Sequence, residues 1–168
     1  DLVPYEREVF QAQIEFLIKR GKLKEAATKM SKWTYGHPED TPQFAGILYS
    51  LFLVHPAHGQ EVLEQWLTDH PDERGYQAAT ITADTAEKNQ SSAAEVSILE
   101  VLTAKKPDDF CLKLKYAKAL VKTGNKARAS GYLDKAVAAE TSELGGCYSE
   151  LLSYWSRLKL EEGSHKTV

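Results

Sequence analysis

Apolar residues, most of them large, recur along this chain in pairs three positions apart: Met30/Trp33, Leu63/Trp66, Leu99/Leu102 and Leu133/Ala136. Each of the first three pairs ends five residues before a proline, at Pro38, Pro71 and Pro107, and these prolines are 33 and 36 residues apart. The fourth pair follows Leu99/Leu102 by 34 residues, with Thr141 where a fourth proline would fall. Apolar steps of three and four are the spacing of one helical face. Proline ends a helix because it lacks an N–H and restricts the residue before it. A helical pattern that repeats about every 34 residues predicts stacked helical hairpins.

The spacing predicts first helices near 5–20, 41–54, 74–88 and 109–123, and second helices near 22–35, 59–69, 91–105 and 126–140. A ninth helix is predicted at about 143–162, where Tyr148, Leu151, Leu152, Trp155 and Leu158 share a face. Gly21 is followed five residues later by Ala26, and Gly124 five later by Ala129. Glycine suits the positive φ of a tight turn between helices, and alanine lets two helices approach closely.

Small turn residue, alanine, bulky residue four later, closing proline: this order resembles the tetratricopeptide pattern. Gly21, Ala26, Met30, Trp33 and Pro38 carry it in the first unit, and Gly124, Ala129, Leu133 and Ala136 in the fourth. The middle units depart from it. Val54 and Gln90 stand at the turn glycine, and Gly59 and Glu95 at the alanine. The aromatic-leucine-glycine-tyrosine pattern of the family's first helices is met only loosely, by Phe10, Gln13, Ile14 and Leu17 in unit one and Lys113, Tyr116, Ala117 and Leu120 in unit four. The resemblance implies an all-α fold, a right-handed superhelical α-solenoid. It would hold about four helix-turn-helix repeats (about 5–38, 39–71, 72–107 and 108–141) in a single domain over 1–168, with a C-terminal capping helix at about 143–162.

Composition agrees with a packed helical chain. Hydrophobic residues make up 42% and charged residues 27%, and a net charge of −3 carries no basic block, so the footprint of a nucleic-acid binder is missing. The longest apolar run, Ile47–Val54, falls short of a membrane span. The chain begins at Asp1, and Met30 is its only methionine, so a processed or excised chain is expected; the compartment stays open between the cytoplasm and, for a secreted bacterial protein, the periplasm.

Little in the sequence announces chemistry. His55 and His58, followed by Glu61 and Glu64, are the nearest thing to a metal-binding cluster, but Pro56 places the histidines in a turn, and His37 and His70 also precede prolines. His-Pro thus reads as this chain's way of leaving a helix. Cys111 and Cys147 stand alone and are expected to be buried free thiols, the alternative being a disulfide between neighbouring helices. Neither has a histidine near it in sequence, and Gly145-Gly146 is a turn rather than a phosphate loop. The expectation is a non-catalytic chain with no cofactor and no metal.

What the resemblance implies is a protein-interaction scaffold that takes a partner's peptide or helix in a concave groove lined by the first helices. The alternatives are a non-catalytic module of a larger enzyme or secretion machine, and a self-associating domain forming homo-oligomers. Carried onto this sequence, the family's inner-face spacing gives Gln11, Glu15 and Lys19 in unit one and Phe44 and Leu48 in unit two. It gives Thr80, Asp84 and Lys88 in unit three and Lys118 and Lys122 in unit four. Phe44 and Leu48 are either core or an apolar anchor pocket between charged rims. Tetratricopeptide domains that hold acidic chaperone tails carry lysine and asparagine where Gln11 and Glu15 stand, so that partner is not expected.

Overall fold

The computed structural model describes residues 4–138 and 147–164; Thr141, Gly145-Gly146, the expected last residues of the eighth helix and the expected start of the ninth lie outside the described residues. Among the described residues the secondary structure is helical throughout, with no strand. The helices are α1 Pro4–Lys19, α2 Leu23–Gly36, α3 Thr41–Val54, α4 Pro56–Asp69, α5 Glu73–Lys88, α6 Ser92–Lys105, α7 Phe110–Lys122, α8 Lys126–Ala138 and α9 Tyr148–Ser164, with a 3-10 turn at Pro38–Asp40. The helices follow one another as the proline and glycine spacing predicts. The chain forms two compact units, Asp1–Ala94 and Glu95–Val168, and the division falls in the first turn of α6.

In the first unit α3 is the central element, packed against α2, α4 and α5, while α1 packs on α2. A helix enclosed on several sides must be apolar around most of its circumference. Accordingly Phe44, Ala45, Ile47, Leu48, Leu51 and Phe52 of α3 are all buried. Ile14, Ala26, Met30, Leu63 and Trp66 complete the core from the neighbouring helices.

The turns explain the glycine spacing. At Gly21 (φ +72°) and Gly124 (φ +79°) the chain enters the left-handed region, and the amide of the next residue reaches back to close the helix: Lys22 N–H to the Leu17 carbonyl and Asn125 N–H to that of Leu120, each 2.9 Å. Gln90 holds the same conformation (φ 56°), with the Ser91 amide 2.9 Å from the Ala86 carbonyl. The third turn therefore keeps the geometry after losing the glycine. Val54 marks a different solution. His55 turns the chain (φ −141°, ψ 77°) and Pro56 opens α4, so that helix starts at 56 rather than near 59. His37 and His70 adopt nearly the same angles ahead of Pro38 and Pro71.

The alanine slots also resolve physically. Ala26 and Ala129 are completely buried. At Gly59 even a methyl group is too large, because a Cβ there would lie 2.7 Å from the Phe52 ring. Glu95, in the same slot of the third repeat, is 5% exposed and faces the Lys122 ammonium at 3.4 Å.

Two tryptophans make equivalent joints in the first unit. Trp33 stacks between Phe10 and His37 and donates its indole N–H to Asp40 at 2.7 Å. Trp66 lies against His70 and Phe44 and donates to the Gly75 carbonyl at 2.9 Å. Gly75, in the first turn of α5, lets that turn press on the end of α4: a Cβ there would fall 1.8 Å from the His70 carbonyl oxygen.

In the second unit α7 packs on α8, and α9 packs on both. Leu151 and Leu158 of α9 are buried, and Tyr148, Leu152 and Trp155 are half-buried, as the expected face requires. Cys111 and Cys147 are not free thiols. They form a disulfide, Cα to Cα 5.0 Å, that ties the start of α7 to the residue before α9. Cys111 opens its helix on the exposed side, where no apolar core would have kept a thiol enclosed.

Candidate interaction faces

The first helices α1 and α5 each spend one side on their neighbours and leave a polar line outward. On α5, Ala78, Ala79, Thr82, Ala83 and Ala86 are buried, whereas Thr80 and Lys88 are exposed and Asp84 is half-buried between them. Residues four apart lie one above another on a helix, so these three make one stripe. On α1 the stripe is Gln11, half-buried, with Glu15 and Lys19 exposed and 3.9 Å apart. Both stripes carry both signs of charge.

Phe44 and Leu48 depart from the anchor-pocket expectation. Both are fully buried in α3, so neither offers surface to a partner. Their helix is enclosed by α2, α4 and α5, and the apolar spacing that marks a binding pocket is the same spacing that marks a core.

In the second unit the two predicted lysines are engaged internally. Lys118 is 2.7 Å from Glu150 of α9, with its ammonium 5.8 Å from the centre of the Tyr154 ring. Lys122 lies 3.4 Å from both carboxylate oxygens of Glu95. The ninth helix takes further contacts from α8: Asp134 accepts Trp155 Nε1 and Lys159 Nζ, each at 2.8 Å, and Lys126 lies 3.2 Å from Glu161. The hydrogen bond from Lys159, then that from Trp155, holds the Asp134 carboxyl below its ordinary value.

His55 and His58 are exposed, their rings 5.4 Å apart at the start of α4, and among the described residues no group of three or more His, Cys, Asp or Glu could hold a metal ion. No helix of the described residues is long and apolar enough to cross a membrane. Two surface features escaped the sequence reading. One is a groove in the second unit lined by α6, α7 and α8, where burial pushes the phenols of Tyr116 and Tyr132 up. The other is the outer side of α1, where Val9 is 38% and Phe16 57% exposed beside Ala12 and Leu17. Val9, Ala12 and Phe16 stand at the three and four residue steps of a helical apolar face, and only their exposure separates them from core.

No family model matches the chain, and no curated protein matches it. Among solved structures it is similar to MamA RS-1 (ArsTM double mutant), with a TM-score of 0.47 and 18% identity over 95% of this chain and 86% of that one. It is also similar to MamA AMB-1 in space group P212121, with a TM-score of 0.45 and 19% identity over 98% of this chain and 86% of that one. At such scores the argument for helical hairpins stays with the chain's own turns, joints and buried small residues.

Proposed function

We propose that this chain is a non-catalytic protein-interaction scaffold that holds a peptide or helix of another protein on the outward stripes of its first helices. The observation that carries this reading is the stripe on α5: exposed Thr80 and Lys88, with half-buried Asp84 between them, lie at helical spacing on a helix whose buried face is made of small residues. Alanine-rich burial fixes the helix rigidly against its neighbours, and a rigid polar stripe is well suited to reading a partner. The stripe on α1 extends the same chemistry. Lys118 and Lys122 contribute less in this scheme, since binding through them would first break their pairs with Glu150 and Glu95.

The test is capture of the native partner, identified by co-purification and mass spectrometry from the source organism and then purified. Asp84→Lys combined with Lys88→Glu should weaken its binding by at least about tenfold, the loss of one or two charged contacts, with an unchanged melting curve. Undiminished binding by that variant would sink the assignment.

A second reading, self-association, is favoured by the exposed Val9 and Phe16 on α1. Size-exclusion chromatography with light scattering separates the two: a strict monomer removes self-association, and a dimer abolished by Phe16→Glu supports it.

A further inference from the structure

The groove in the second unit has a volume of about 650 Å³, within the range of sites that enclose a small ligand or the end of a peptide. Its walls come from α6, the start of α7 and α8, and its charged lining is unequal: Lys113, Arg128 and Lys135 against Glu100. Glu100 is taken by Arg128 at 2.6 Å. That leaves two ammonium groups with no ion pair among the described residues.

Lys113 is the informative one. It is 8% exposed, and the group its ammonium meets among the described residues is the face of the Phe110 ring, 4.6 Å away. An ammonium carries three donors and no acceptor, and an aromatic face takes up none of them as a carboxylate would. The stem of Lys113 is enclosed while its ammonium lines the groove, so an anion entering there meets a held cation that no carboxylate of the described residues already pairs. Beside it Tyr116 and Tyr132 meet edge to face, centroids 4.9 Å apart, and offer an apolar wall.

We propose that this groove binds a carboxylate carried on an aromatic or aliphatic body, with the carboxylate on Lys113 and the body against Tyr116 and Tyr132. Lys135, on the exposed rim, strengthens the field that draws the anion in. A free organic acid and the C-terminal residue of a peptide share this chemistry. The site uses Lys113 and Tyr116 of α7 and Tyr132 of α8, none of them a residue of the first-helix stripes.

The full chain with its disulfide intact is titrated, by calorimetry and by nitrogen-15 correlation spectra, with N-acetyl-Ala-Phe as the free acid, with its C-terminal amide, and with 3-phenylpropionate. The acids should bind at least about tenfold more tightly than the amide, the difference expected for a charge-assisted pair. The resonances of Tyr116 and Tyr132 should move with the acids. If N-acetyl-Ala-Phe binds more tightly than phenylpropionate, the ligand is a peptide end; the reverse order assigns a free acid. Lys113→Met should erase the preference for acid over amide, and Lys113→Arg should keep it. Equal binding of acid and amide, no binding at millimolar concentration, or an acid preference that survives Lys113→Met would each overturn the proposal. Should Lys113→Met fail to fold, the acid-against-amide comparison on the unaltered chain decides alone.

Discussion

Replacing Gly75 by alanine should be the most damaging single-methyl change in the first unit. The new Cβ would lie 1.8 Å from the His70 carbonyl oxygen and 2.9 Å from its carbon, against an ordinary contact of 3.4 Å or more. Both atoms are backbone, so no rotamer change can make room, and the first turn of α5 must move off the end of α4. That movement breaks the hydrogen bond from the buried Trp66 indole to the Gly75 carbonyl. Overpacking costs about 1–3 kcal/mol and a buried donor left unsatisfied about as much again, so the expected loss is roughly 2–6 kcal/mol. Two other glycines calibrate the result. Gly59→Ala meets the Phe52 ring at 2.7–2.9 Å, which can tilt, and should cost about 1–3 kcal/mol. Gly46→Ala, inside α3 with nothing within 4 Å, should gain about 0.5–1 kcal/mol from helix propensity. Urea unfolding followed by circular dichroism and tryptophan fluorescence ranks the three. A Gly75→Ala chain that unfolds with the unaltered one, or a Gly46→Ala loss equal to that of Gly75→Ala, would refute the packing argument.

Gln90→Gly should stabilise by about 0.5–1 kcal/mol, since it relieves a left-handed side-chain residue, while Gly21→Ala and Gly124→Ala should each lose about 1 kcal/mol; urea midpoints check the opposite signs. Reducing the Cys111–Cys147 disulfide frees a closed loop of 36 residues, worth about 4 kcal/mol of unfolded-state entropy, and should lower the urea midpoint of the second unit in step with the appearance of two titratable thiols. The lowered folded value of Asp134 makes its contribution complete above the ordinary aspartate range and lost as pH falls through that folded value. Asp134→Asn should therefore flatten this part of the acid dependence of stability, read from urea midpoints across the acid range.

Helix order was legible because its signals are local. A proline, a turn glycine and an apolar face act within a few residues of themselves; α1 to α7 begin and end, and α8 begins, close to where those residues place them. What was not legible depends on which surfaces meet. Phe44 and Leu48 have the same spacing whether they line a trough or a core, and only the enclosure of α3 decides for the core. The disulfide joins positions 36 apart, a separation that carries no local pattern. Gln90 in the glycine conformation and Gly59 under Phe52 are degenerate as sequence yet conservative as structure. The pairing of Lys118 with α9 likewise depends on a helix whose position the repeat spacing does not specify.

The scaffold reading is tested most directly by hydrogen exchange of the chain with and without its purified partner. Peptides covering α5 around Thr80–Lys88, together with α1 around Gln11–Lys19, should gain protection while the second helices α2 and α4 exchange as before. Protection confined to the second helices, or no change in either first helix on saturation with the partner, would contradict it.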